Sequence, residues 1–191
     1  MDAQVRADQD SEISRTDVEL VAAINRGDAA AFDVLYFRHR DWVAALAYRF
    51  TGDSDASLDV LQETFLYLLR KFPGFRLTAN LKTFLYPAVR NLSIAARRKA
   101  ARYQAAQAEL EQLKQAPAPP TAGAEAGDLQ VILTALPEEQ REVLLLRFVD
   151  GLNLAEIAEA MAIPLGTVKS RLHNALQTLR QDARTRAFFE R

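Results

Sequence analysis

Residues 152–180 read "LNLAEIAEAMAIPLGTVKSRLHNALQTLR". Two short amphipathic segments meet at a break, "AIP". Leu154, Ile157, Ala158 and Met161 share one side of the first segment; Val168, Leu172, Leu176 and Leu179 share one side of the second. Both follow the three-and-four spacing of an α-helix. The tight "AMAIPLG" connection lets the two stripes close on each other, which is the helix-turn-helix layout. At about 100° per residue, the face opposite the second stripe holds Ser170, His173, Asn174 and Gln177, with Thr167 nearby and Lys169 and Arg171 at the shoulders. Side chains of medium length that donate and accept hydrogen bonds suit base edges in a major groove, and flanking cations suit phosphates. The start of the second helix also offers free amides to a phosphate. His173, a lone histidine on a polar face, reads as a DNA contact or a surface residue and not as a metal ligand.

Upstream lies "APAPPTAGAEAGD", residues 116–128, rich in Pro, Ala and Gly and without a large apolar residue. Such a segment cannot form a core and reads as a linker. It divides the chain into an acidic, disordered N-terminus (1–16), a larger domain (17–115), the linker (116–128), a smaller domain (129–183) and a tail (184–191). The smaller domain adds "DLQVILTAL" and "PEEQREVLLLRFVDG" to the opening stretch, with Pro137 at a helix start. The "RTRAFFER" tail carries Phe188 and Phe189, for docking on the smaller domain or on a partner.

The larger domain also reads as helical, for alternating β-branched runs between turn residues are missing. Gly27-Asp28 separates two helices, with Asp28 as a cap; Gly52 ends the second. A third follows, capped by Ser54 or Asp55, with an apolar stripe of Leu58, Leu61, Phe65, Leu68 and Leu69, and stops at Pro73-Gly74. A long helical pattern after residue 80 contains Pro87, where a kink is expected. The expected fold class is therefore all-α, two small helical domains joined by a flexible linker.

Charge is distributed unevenly. The net formal charge is −1. Residues 70–102, however, carry nine bases (Arg70, Lys71, Arg76, Lys82, Arg90, Arg97, Arg98, Lys99, Arg102) and no acid. A local field steers a polyanion whatever the sum, so the balance is no objection to nucleic acid. Within this span Phe72, Phe75, Phe84 and Tyr86 interleave with Arg76 and Lys82, the ingredients of single-strand capture. On the third helix, Asp59, Gln62 and Glu63 stand at i, i+3 and i+4 and form a polar face.

Other classes lack support. There is no cysteine, which excludes disulfides and thiolate metal sites and suits a reducing cytoplasm. With only His39 and His173, a zinc site is not expected, nor is a cofactor. No apolar run approaches the roughly 18 residues of a membrane helix. No nucleophile motif, glycine-rich phosphate loop or histidine–carboxylate pair marks an enzyme or a small-molecule substrate.

The segment "LPEEQREVLLLRFVDGLNLAEIAEAMAIPLGTVKSRLHNALQTLR" resembles region four of bacterial RNA polymerase sigma factors. "AAFDVLYFRHRDWVAALAYRFTGDSDASLDVLQETFLYLLRKFPGF", followed by "LKTFLYPAVRNLSIAARRK", resembles their region two. The two together, with only a short linker between them, resemble the extracytoplasmic-function group of the sigma-70 family, over roughly residues 18–102 and 128–182. The resemblance implies a non-catalytic subunit that binds core RNA polymerase, directs it to promoter DNA and promotes melting. Region two would dock on the polymerase clamp and open the minus-ten element, and region four would read the minus-thirty-five element. Asp59, Gln62 and Glu63 match the core-polymerase contact motif. Arg76, Asn80, Lys82, Thr83 and Phe84 fall where melted bases are captured, and Arg90, Asn91, Arg97 and Arg98 along the helix that holds duplex DNA. An anti-sigma factor is the further expected partner. Four positions depart from the family pattern: Phe84 where tryptophan is common, Pro87 within a helix, Leu58 where an acid is frequent, and Asn174 where arginine is frequent. A sigma-like decoy that binds an anti-sigma factor, and a helix-turn-helix repressor, are the alternatives; the acid-free span argues against the first and the Asp59, Gln62, Glu63 face against the second.

Overall fold

A computed structural model of the protein describes residues 15–112, 133 and 135–182. Among them there are seven helices and no strand. The chain forms two compact units, Met1–Leu110 and Glu111–Arg191. The expected N-terminus to residue 14, the linker 116–128, most of "DLQVILTAL" and the tail lie outside the described residues.

The first unit holds α1 (Asp17–Asn25), α2 (Ala29–Thr51), α3 (Ser54–Leu69) and most of α4 (Leu81–Gln112). Local sequence sets each boundary. Thr16 caps α1 in a reciprocal box: its hydroxyl accepts from the Glu19 amide, and the Glu19 carboxylate accepts from the Thr16 amide at 2.7 Å. That bond, and a second from the Thr16 hydroxyl, hold the exposed Glu19 carboxyl below its ordinary pKa. Asp28 caps α2 as expected, and Gly52 ends it in the left-handed region at φ 68°. The cap of α3 is Asp53, whose carboxylate accepts from the Ala56 amide at 2.7 Å, and not Ser54 or Asp55. The reason is backbone geometry: Asp53 is extended, whereas Ser54 is already the first helical residue.

The α3 stripe is also shifted. Leu61, Phe65 and Leu68 are buried, but together with Ser57, Val60 and Thr64; Leu58 and Leu69 are 52% and 45% exposed. Thr64 and Ser57 enter the core because their hydroxyls donate back to the Val60 and Ser54 carbonyls, both at 2.7 Å. That removes the cost of burying an unpaired hydroxyl, about 1–3 kcal/mol each. Helix α4 continues through Pro87 without a break. Proline supplies no N–H to the Thr83 carbonyl. The wholly buried Leu81, Leu85, Tyr86 and Val89 carry the helix past that loss, each apolar side chain contributing about 1.5–3 kcal/mol.

The second unit holds α5 (Glu138–Phe148), α6 (Leu154–Met161) and α7 (Leu165–Gln181). Helices α5 and α6 both pack on α7. The core contains Leu136, Leu144, Ala175 and Leu179, with Leu133, Leu172 and Leu176 against it. Ile157 of α6 and Val168 of α7 are wholly buried. Asn153 caps α6 in a box with Glu156, and the turn to α7 passes through Ala162 at φ 53°.

Candidate polymerase and nucleic-acid interfaces

In the second unit, the reach of α7 toward solvent follows from its buried stripe. With Val168, Ala175 and Leu179 inside, Lys169, Ser170, His173, Asn174 and Gln177 are all exposed, and Thr167 is half-buried. Ser170 donates its hydroxyl proton to the Thr167 carbonyl at 3.0 Å, leaving its oxygen to accept. Pro164 precedes α7 and no side chain caps the helix; the Thr167 amide donates to the Pro164 carbonyl at 2.9 Å, so the exposed Leu165 and Gly166 carry the positive end of the helix dipole. Arg171 departs from the expectation of a phosphate contact. It is half-buried and ion-paired with Glu139 of α5, so its guanidinium clamps α7 to α5.

On α3 of the first unit, Asp59, Gln62 and Glu63 are exposed along one face, as expected. The sequence reading missed their neighbours. Leu66 stands four residues after Gln62 and three after Glu63, and is 43% exposed; Leu58 and Leu69 flank the same face. Apolar side chains left in water beside carboxylates suit a protein partner, which the acids alone do not establish.

The loop from 70 to 80 is tied down from a distance. The Asn25 side chain donates to the Phe75 carbonyl at 2.7 Å and accepts from the Gly74 amide at 2.6 Å, a bridge across 50 residues. Phe75 then packs on Phe72 and Phe84 with ring centroids 5.5 and 4.6 Å away, and Phe84 stacks on Tyr67 at 5.9 Å. These rings are half-buried, whereas Tyr86 is wholly core. Lys71 sits 4.6 Å over the Tyr67 ring and Lys82 5.5 Å over the Trp42 ring. Aromatic faces beside cations are the means by which unstacked bases and a strand backbone are held.

Along α4 the expected residues separate into two lines. Asn80, Phe84, Asn91 and Arg98 recur at spacings of four and seven and share one face; all but the half-buried Phe84 are exposed. Asn80 uses one oxygen to accept from the Lys82 amide at 3.0 Å and keeps its amide donors. Arg90 and Arg97 lie about a third of a turn away, Arg90 half-buried and Arg97 exposed. Arg76 is exposed on the loop. Thr83 does not fit the expectation of a DNA contact: it is 3% exposed and its hydroxyl oxygen is buried without a partner, on the side of α4 it shares with the wholly buried Tyr86 three residues on.

Comparison with known proteins fits this arrangement. The family profile "Sigma-70 region 2" matches residues 35–103, and "Sigma-70, region 4" matches residues 132–181. The sigma-E factor of Escherichia coli K12 is 31% identical, with 86% of this chain and 92% of that protein covered. The SigW factor of Bacillus subtilis 168 is 29% identical, covering 86% of this chain and 95% of its own. Two solved structures share the fold. CnrH in complex with the cytosolic domain of CnrY has a TM-score of 0.61 at 22% identity, over 91% of this chain and 97% of its own. RpoE of Bartonella quintana in complex with the anti-sigma factor NepR has a TM-score of 0.56 at 24% identity, over 78% and 94%.

The fold and the two matched regions define a sigma-70-type transcription initiation factor, a subunit that binds core RNA polymerase and promoter DNA and performs no catalysis itself. Within that class, the chain belongs to the extracytoplasmic-function RNA polymerase sigma factors. No helix among the described residues is long and apolar enough to cross a membrane.

Proposed function

We propose that the two units divide the promoter and the polymerase between three surfaces. The α3 face, with Asp59, Gln62, Glu63 and the exposed leucines, docks on core polymerase. The aromatic cluster around Phe84, with Asn80, Lys82 and Arg76, captures melted bases of the minus-ten element, and Asn91 and Arg98 hold the adjoining duplex. The α7 face, from Thr167 to Gln177, reads the minus-thirty-five element in the major groove. One observation carries the reading: on the first unit, carboxylates and exposed leucines occupy α3, while α4 from Leu81 to Arg102 bears four arginines, two lysines and no acid. A decoy needs the first surface and not the second.

The protein works where the polymerase works, in the cytoplasm. A third partner is an anti-sigma factor, by likeness to the fold neighbours solved with the cytosolic domain of CnrY and with NepR. The test is reconstitution with core polymerase on promoter DNA and chemical probing of unpaired thymines. The expected result is sequence-limited melting that is lost in Asp59→Lys/Glu63→Lys, through failed core binding, and in Asn80→Ala/Lys82→Ala, with core binding retained. Melting unaffected by either variant overturns this division of labour.

A further inference from the structure

Every residue from Arg97 to Ala106 is exposed, ten in succession on α4. A helix that packs one face on a core cannot expose all of its sides, so this part of α4 extends away from the first unit's core. An unsupported helix gains nothing from tertiary burial, which ordinarily supplies most helical stability. The sequence of this arm is specific: Arg97, Arg98, Lys99 and Arg102 without an acid before Glu109. Arg102 follows Arg98 by four residues and continues the line of Phe84 and Asn91; its Nε donates to the Arg98 carbonyl at 3.3 Å, which lays the side chain back along that line. Lys99 stands beside it and is exposed.

From Phe84 to Arg102 is eighteen residues, about 27 Å along the axis at 1.5 Å per residue, the length of about eight base pairs. We propose that the arm is a second duplex-binding segment, in which Lys99 and Arg102 grip phosphates of the spacer DNA about 25 Å upstream of the melted bases. The inference rests on the reading of α4 as the DNA-facing helix of the first unit. It adds contacts that carry no sequence information and that fix register and affinity. Cations without intervening acids select a polyanion over a protein surface, which would present both signs and apolar area.

The test uses holoenzyme carrying the wild-type chain or Lys99→Gln/Arg102→Gln, since glutamine preserves helix propensity. Binding is measured across a salt series on a full promoter duplex and on a fork fragment that ends just upstream of the minus-ten element. On the full duplex the double variant should bind more weakly at low salt, with the slope of log K against log salt shallower by about 1.8, or 0.9 per lost phosphate contact. On the fork fragment the two proteins should bind alike. An unchanged slope on the full duplex overturns the proposal, and so does an equal loss on both fragments, which would place the arm on polymerase or on the minus-ten element. If the wild-type holoenzyme binds neither fragment, the assignment of α4 to DNA fails with it, an outcome separable from the first two.

Discussion

Asp17 ties the first helix to the second: its carboxylate accepts from Arg38 at 2.7 Å and meets Nε2 of the buried His39 at 2.8 Å. Burial pushes the Asp17 carboxyl up, but the hydrogen bonds and charges of His39 and Arg38 outweigh it and hold the pKa below the ordinary 3.8. A depressed carboxylate stabilises the fold above its ordinary pKa, and that stability is lost as pH falls through the folded value. Asp17→Asn should therefore cost about 1–2 kcal/mol at pH 7, with the difference from wild type shrinking below about pH 4, measured by denaturant titration at several pH values. On α7, two neighbouring residues should behave in opposite ways. Gln177→Ala should lose about 1–3 kcal/mol of discrimination at one minus-thirty-five base, read by binding to base-substituted promoters. Arg171→Ala should leave the salt slope of DNA binding unchanged and lower stability by less than about 1 kcal/mol, because its charge is paired with an exposed Glu139.

At the scale of the element, the turn between α6 and α7 stores strain. Ala162 is the one non-glycine residue with positive φ among the described residues, a conformation that costs an L-residue about 1–2 kcal/mol. Ala162→Gly should relieve part of it and raise the stability of the second unit by up to about 1 kcal/mol in thermal unfolding, with α7 unchanged in sequence and contacts. The two helices around this turn were legible in the sequence because the stripes Ile157 and Val168–Leu172–Leu179 recur at helical spacing, and periodicity is local information. The α3 stripe was misaligned for a complementary reason. Its register is set by what faces it, and buried Ser57 and Thr64 satisfy their hydroxyls within the helix, which hydropathy cannot register. The exposed Leu58, Leu66 and Leu69 were hidden by the same rule that assigns leucine to a core. The inward turn of Thr83, the Asn25 bridge to the loop and the Arg171–Glu139 pair depend on residues far apart in sequence, and no spacing announces them.

The whole molecule balances 24 bases against 25 acids, yet the basic stretch of α4 and the acid-bearing α3 lie within one unit and α7 in the other. Two units with separate hydrophobic cores can address two promoter elements, as the proposed division of surfaces requires. Promoters in which five base pairs are inserted between the elements should lose at least tenfold in open-complex formation, since about half a helical turn moves the α7 site to the opposite side of the duplex. The direct test is transcription by core RNA polymerase, freed of other sigma factors, on fragmented genomic DNA with and without this protein. Added protein should copurify with core and start transcripts at a limited set of positions that share two sequence blocks at fixed spacing. Absence of the protein from core complexes, or start sites no more selective than those of core alone, would contradict the assignment of this chain's surfaces to polymerase and promoter.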